Sequence, residues 1–379
     1  MKHLAARLTA LGAAAACVLG ATAGTASASF KLTGAGSTLV QPMLQNVWIP
    51  DFQNANSGDT VSYGGGGSTA GINAITGNTV NFGASDAPLT SAQASTCSKC
   101  VQIPWTLSAT GPVYNISGVS NLNLSGPVLA DIYLGTITNW SDPKIKALNK
   151  GVSLPSAPIS VFWRSDGSGD TFVFESFLAD TSSDYKSFLS TKGAVPSTTS
   201  VFSVGTGEKS NSGVASAVSS TPNSIGYVST FYVRDSGTPN VHGAAVENAS
   251  GKFIHPYPQD MAYAAEQVPA SQLSSSAYNT EPVIANDVAT LAYKAPKLKK
   301  GQKAKKLTSK QFAIQNLYPL STFTDVIVRS DGPDVPDLQT FIEFCLSSAE
   351  QSISKTGAQS FAPLPTAVVN FDLAQVKSL

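Results

Sequence analysis

Three runs of small residues, each carrying Ser or Thr and each opening into a helical pattern, constrain this chain more than any other feature. They are Gly34-Ala35-Gly36-Ser37-Thr38, Gly64-Gly65-Gly66-Gly67-Ser68-Thr69 and Asp166-Gly167-Ser168-Gly169-Asp170-Thr171. Glycine lets another group come close to the backbone. The first turn of a helix has unsatisfied N–H donors and a partial positive charge. Taken singly, each run is accounted for by N-capping, for which Ser, Thr and Asp are preferred. Three in one chain, the third just after Arg164, predict a shared anion site built from helix N-termini. The pattern G-x-x-x-x-G-K-[ST] does not occur in the sequence, so a nucleotide triphosphate has no support.

The segments between these runs alternate. Residues 39–52, 70–76, 171–178 and 338–353 have helical spacing, the third as an amphipathic helix carrying Phe172, Phe174 and Phe177. Residues 60–63, 80–84, 112–116, 159–163, 225–228 and 318–328 read as strands. This order predicts an α/β chain with a mostly parallel sheet covered by helices. At 379 residues the chain is too long for one ordinary core, which argues for two domains.

Residues 1–28 read as a secretory signal: Lys2, His3 and Arg7, then an Ala/Leu-rich run, then Ala26-Ser27-Ala28. A lipoprotein signal with Cys17 as the lipidated residue is the alternative. No later apolar run reaches the ~20 residues of a membrane span. In an exported chain Cys97 and Cys100 are better read as a local structural disulfide than as a redox pair or half a zinc site. The segment around them is polar, and only His242 and His255 follow the signal. Cys345 falls in the apolar pattern Leu338, Phe341, Ile342, Leu346 and reads as a core residue.

Charge is balanced overall, 24 Lys and Arg against 24 Asp and Glu. Eight lysines crowd into residues 294–310 with no acid among them, so the rest of the chain is net acidic. That loop reads as a solvated insertion, or as a contact with an anionic cell surface. Nucleic acid is not expected, because no wider basic face exists.

Specific motifs now add to this. LTGAGSTLVQPMLQNVW, YGGGGSTAGINAITGNTVNFGASDAPL, DIYLGTITNWSDPKIKALN, WRSDGSGDTFVFESFLA, GEKSNSGV, IGYV and FAPLPTAVV occur in this order. From about residue 31 to the end, the chain resembles the PstS family, phosphate-binding subunits of high-affinity phosphate ABC importers, in its actinobacterial form. The resemblance implies a two-lobed α/β fold of the periplasmic-binding-protein type II, with two crossing strands as a hinge. It implies a first part of lobe I at 29–110, lobe II at 111–317 and a return to lobe I at 318–379. The crossings are expected near 107–113 and 318–328. It also implies a monomer that binds inorganic phosphate without a cofactor or metal and partners the permease subunits of an importer.

Carried over onto this sequence, the family's phosphate contacts fall on Thr38, the backbone N–H of Leu39, Ser68, Asp86, Arg164, Ser168, Gly169 and Asp170. Leu39 replaces a common Phe, and Asp170 replaces a usual Thr. Arg164 supplies paired donors to phosphate oxygens. Asp86 is the informative residue. An ionised carboxylate only accepts hydrogen bonds, so it suits a ligand that carries a proton. Phosphate does near neutral pH and sulfate does not; rejection on this ground can reach ~10⁴-fold. Asp170, if it faces the ligand, would accept a second ligand hydrogen; otherwise it caps its helix. Asp166 is expected to brace Arg164 or to start that helix, without touching ligand. An enzymatic role, as a secreted phosphatase, would need a nucleophile with a base, or metal ligands. Two histidines far in sequence from the Ser runs give it little support.

Overall fold

The structure is a computed structural model that describes residues 29–268, 289–294, 305–351 and 360–379. The segment read as an export signal (with Cys17), half of the clustered lysines and the end of the expected 338–353 helix lie outside the described residues.

Twelve strands occur among the described residues: β1 (Lys31–Gly36), β2 (Thr60–Gly64), β3 (Phe82–Ser85), β4 (Cys100–Asn115), β5 (Asn123–Leu124), β6 (Ser160–Arg164), β7 (Thr206–Glu208), β8 (Ser224–Ser229), β9 (His242–Gly243), β10 (Ala245–Glu247), β11 (Phe253–Ile254) and β12 (Ser321–Arg329). Nine form one mixed sheet in the order β2-β1-β3-β12-β4-β8-β6-β7, with β9 beside β4. Each end of this sheet is parallel, β2-β1-β3 at one and β8-β6-β7 at the other. Antiparallel pairings of β12 and β4 join the two ends.

β4 is the element that makes the molecule two-lobed. Its first part, up to Ala109, pairs with β12, and from Thr110 onward it pairs with β8. The partner changes within the crossing expected from the sequence. A strand of this length spans roughly 50 Å, enough to run from one lobe into the other. Its register against β12 shifts between Thr324 and Asp325, opposite Thr106 and Pro104. Pro104 has no N–H to give the ladder, and a bulge is where a sheet tolerates that. The second crossing enters at β12, where the Tyr318 N–H still donates to Asp260 O and the Thr110 N–H donates to Leu320 O.

Three helical expectations change in detail. Residues 39–52 form a turn, Gln41–Met43, then a π-helix, Leu44–Trp48, then Ile49–Ala55. Pro50 cannot donate to the carbonyl four residues back, and the wider turn places the mismatch just before it. The third helix, Gly169–Thr181, is not amphipathic, since Asp170, Thr171, Glu175 and Ser176 are buried along with Val173, Phe174 and Phe177. Such a helix sits inside the fold rather than on it. The last expected helix stops at Cys345 and resumes as Ser348–Gln351. Cys345 is buried and free, and Cys97 and Cys100 form a disulfide.

Candidate functional site

All three small-residue runs meet where the two ends of the sheet face each other. β1 ends at Gly36, in a left-handed backbone with φ 137°, and a Cβ there would stand 2.2 Å from Ala84 O. Only glycine permits this close approach, which sets Ser37 and Thr38 beside the end of β3. The second run leads into the helix Ser68–Thr76, and the third into Gly169–Thr181. Their glycines interlock: a Cβ on Gly67 would stand 2.4 Å from Gly167 O, and one on Gly167 would stand 2.1 Å from Thr69 Oγ1. The Thr69 N–H donates to Gly167 O at 3.1 Å, and the Thr69 and Thr198 hydroxyls are bonded at 2.8 Å.

The N-cap residues of the helices that the three runs open, Val40, Gly67 and Ser168, make no side-chain cap bond. Elsewhere Thr90, Asp142, Ser182 and Thr308 do cap their helices. The hydroxyls of the runs are therefore committed to something else. Ser37 Oγ donates to Asp86, at 2.7 and 2.6 Å from its two oxygens, and accepts from the Leu39 N–H at 3.0 Å. Ser68 Oγ accepts from the backbone N–H of Asp86 and from that of Gly169, both at 3.1 Å. Ser68 Oγ also lies 3.3 Å from Asp86 Oδ2 as a donor. Ser168 Oγ is buried with no partner among the described residues.

Arg164 ends β6 and is 1% exposed. Its Nε donates to Asp166 Oδ1 at 2.7 Å, its Nη2 to Asp166 Oδ2, and its Nη1 to Asp170 Oδ2 at 2.9 Å. A guanidinium has five N–H bonds, so two of them, on the Nη edge, are left for another acceptor. Asp166 braces Arg164, one of the two roles expected of it. Asp170 does not cap its helix. Its carboxylate accepts from Thr110 Oγ1 at 2.8 Å, Arg164 Nη1 and Asn211 Nδ2 at 2.8 Å. Asn211 Nδ2 also donates to Thr38 Oγ1 at 3.0 Å.

Every residue expected from the sequence is thus in one connected cluster: Thr38, Leu39, Ser68, Asp86, Arg164, Ser168, Gly169 and Asp170. Leu39 enters through its N–H, and its side chain is in the core. Ser37, Thr110 and Asn211 were missed. Ser37 stood inside the first run and Asn211 inside GEKSNSGV, so each had a signal; Thr110 had only its place in the crossing strand.

Two carboxylates, one from each side, sit buried in the cluster. Burial and then the like charge of Asp170 push Asp86 up to about 7, against the pull of the Ser37 hydroxyl. Burial also raises Asp170, and Arg164, Thr110 and Asn211 oppose it. Burial would raise Asp166 too, but Arg164 outweighs it and holds Asp166 below the usual range. The arrangement offers an oxyanion an Arg edge and hydroxyls, together with acceptors for any hydrogen the anion carries.

The PBP superfamily domain matches residues 21–349. The phosphate-binding protein PstS of Xylella fastidiosa (strain 9a5c) is 32% identical over 343 residues, which are 90% of this chain and 83% of that protein. Phosphate-binding protein PstS 3 of Mycobacterium leprae (strain TN) is 39% identical over 201 residues, 52% of this chain and 53% of that one. The match is thus longer to the first and higher in identity to the second. Among solved structures, the phosphate-bound high-affinity periplasmic phosphate-binding protein PfluDING aligns with TM-score 0.65 and 21% identity, over 92% of this chain and 93% of that chain. That likeness concerns the fold.

Proposed function

This chain belongs to the PstS phosphate-binding proteins of the PBP superfamily, and from that premise we propose that its cleft holds one phosphate through the cluster just described. It is an exported binding protein that takes up inorganic phosphate between its lobes for an ABC importer, and it is not an enzyme.

The observation that carries the site assignment is Asp86. It is buried, the Ser37 and Ser68 hydroxyls bond its carboxylate, and it faces the Arg164–Asp170 side through Gly169. A carboxylate so held accepts the hydrogen of a protonated oxyanion and repels a bare one. The two free N–H bonds of Arg164 take phosphate oxygens. Thr38, Ser68 and Ser168 line the remaining approaches, and the Leu39 and Gly169 N–H groups exchange their bonds to Ser37 Oγ and Ser68 Oγ for phosphate oxygens. Asp170 accepts three hydrogen bonds of the roughly four a carboxylate can take, leaving capacity for a second ligand hydrogen. Calorimetric titration with inorganic phosphate and with sulfate tests this reading. Tight binding of phosphate alone is expected; equal binding of sulfate would overturn it. If Asp170 reads the second hydrogen, Asp170→Thr changes the pH 5 to 8 profile of phosphate affinity; matching profiles remove Asp170 from that role.

The change of partner along β4 supports lobe limits of 29–110, 111–317 and 318–379. The chain acts as a monomer, and its lysine-rich loop is a solvated insertion, with contact to an anionic cell surface as the alternative. Residues 1–28 are its export signal, with lipidation at Cys17 as the alternative that mass spectrometry of the exported protein distinguishes.

A further inference from the structure

Beyond the eight proposed contacts, the Asn211 side chain touches both faces of the cleft. Asn211 is fully buried near the start of the helix Ser210–Ser220. One amide hydrogen goes to Asp170 Oδ2 at 2.8 Å, beside Arg164, and the other to Thr38 Oγ1 at 3.0 Å, on the opposite face. Its Oδ1 accepts from the Ser229 backbone N–H at 2.8 Å. That third bond fixes the sense of the amide. A flip would set Oδ1 against the Asp170 carboxylate and Nδ2 against a backbone N–H, two repulsive contacts.

The residue before it strengthens the case. Ser210 has φ 63°, a left-handed conformation that costs a non-glycine residue free energy and tends to mark functional positions. In that conformation the Ser210 N–H donates to Asp166 Oδ1 at 3.0 Å. Both carboxylates that grip Arg164 are therefore held from one dipeptide, Asp166 by the backbone of Ser210 and Asp170 by the side chain of Asn211.

We propose that Asn211 is the positioning residue that couples the approach of Thr38 to the orientation of Asp170 and, through it, of Arg164. This rests on reading the cluster as the phosphate cleft. Parting of the two faces breaks the bond to Thr38 and leaves those to Asp170 and Ser229 in place. The consequence falls on the lifetime of the closed, liganded form more than on the rate of encounter.

The test uses the whole protein with inorganic phosphate, read by calorimetry and stopped-flow, on wild type, Asn211→Ala, Thr38→Val and the double variant. Each single change is expected to weaken phosphate roughly ten- to a hundredfold, mainly through a faster off-rate. The double variant is expected to lose less than the product of the two single losses, because the one bond shared by Thr38 and Asn211 is counted in both. Asn211→Asp sharpens this, since it keeps the shape and the acceptor for Ser229 but turns an oxygen toward Asp170. The charged and titratable groups around it are Asp170, Arg164 and Asp166 on its own face, Asp86 just after β3 and Tyr232 from the helix Thr230–Arg234. Asn211→Asp should bind more weakly than Asn211→Ala at pH 8, with the gap closing toward pH 5. Additive losses in the double variant, or a pH profile of Asn211→Asp parallel to wild type, would overturn the coupling. If Asn211→Asp does not fold, the Thr38→Val cycle decides alone. Absence of heat from wild type with phosphate would remove the cleft reading itself, whereas a wild type that binds while the losses add removes only the coupling.

Discussion

The two walls of the cleft hold the same functional group by opposite means. On one, Asp86 is surrounded by hydroxyls and its carboxylate is pushed up to about 7. On the other, Asp166 and Asp170 share a buried arginine and draw on Thr110 and Asn211 as well. A buried carboxylate without a cation keeps its proton easily and answers to what it faces. One paired with Arg164 is a fixed part of a donor assembly. On the function proposed above, the first wall discriminates among ligands and the second supplies positive charge at a set place.

The strongest way to break this contrast is to remove Arg164. Arg164→Ala leaves the buried Asp170 and the half-buried Asp166 without their partner, and phosphate affinity should fall about a thousandfold or more, with a loss of thermal stability. Calorimetry and a thermal melt read both. Retained binding would mean that the charged wall does not hold the ligand. Next in size is Asp86→Asn, which keeps the shape and the hydroxyl contacts but puts a donor where an acceptor stood. Phosphate should weaken about a hundredfold while sulfate weakens far less, so that selectivity collapses. If selectivity survives, discrimination lies elsewhere than in Asp86.

Gly169→Ala tests how closely the walls must approach. A Cβ there would stand 2.6 Å from Asp86 Oδ2 and 2.7 Å from Ser68 Oγ. Affinity should drop on the order of tenfold while the urea midpoint of the ligand-free protein hardly moves, because the clash is between walls rather than within one.

A pH series sharpens the same contrast. Asp86 titrates near 7 when folded against 3.8 as its ordinary value, so between those values the folded chain keeps a proton that the unfolded chain has released. Its stabilising effect is full at low pH and is lost as pH rises from about 4 toward 7, a few kcal/mol at most. Glu175, raised to about 7 by burial, slopes the same way, so the comparison is wild type against Asp86→Asn in urea melts at each pH. Equal slopes would show that Asp86 is not the titrating group. The smallest effect belongs to Cys97→Ser with Cys100→Ser, far from both walls. A disulfide closing so short a loop contributes no more than about 2 kcal/mol, and phosphate affinity should not change.

How far the site was legible follows from where each residue stands in the chain. The three runs announced themselves because glycine next to Ser or Thr before a helix is a local pattern. Asp86 and Arg164 were found through motifs with fixed neighbours. Thr110 had no such mark: its partner is 60 residues away, and only the crossing of β4 brings the two together. Asn211 is separated from Thr38 by 173 residues, and its side chain matters because both faces reach it. The amphipathic reading of the Gly169–Thr181 helix erred for a related reason, since Asp170 and Glu175 are polar residues that the fold buries.

Taken alone, the amino-acid order determined which segments become strands and helices, that glycines stand where backbones must nearly touch, and that a carboxylate and an arginine carry the motifs expected of one anion site. These are consequences of local geometry and side-chain chemistry, which act over a few residues. Which hydroxyl holds which carboxylate, and how Arg164 divides its donors between Asp166 and Asp170, was decided only when β4 and β12 joined the two ends of the sheet. Hydrogen bonds depend on distances of tenths of an ångström, and those distances between remote residues exist only after the chain has folded.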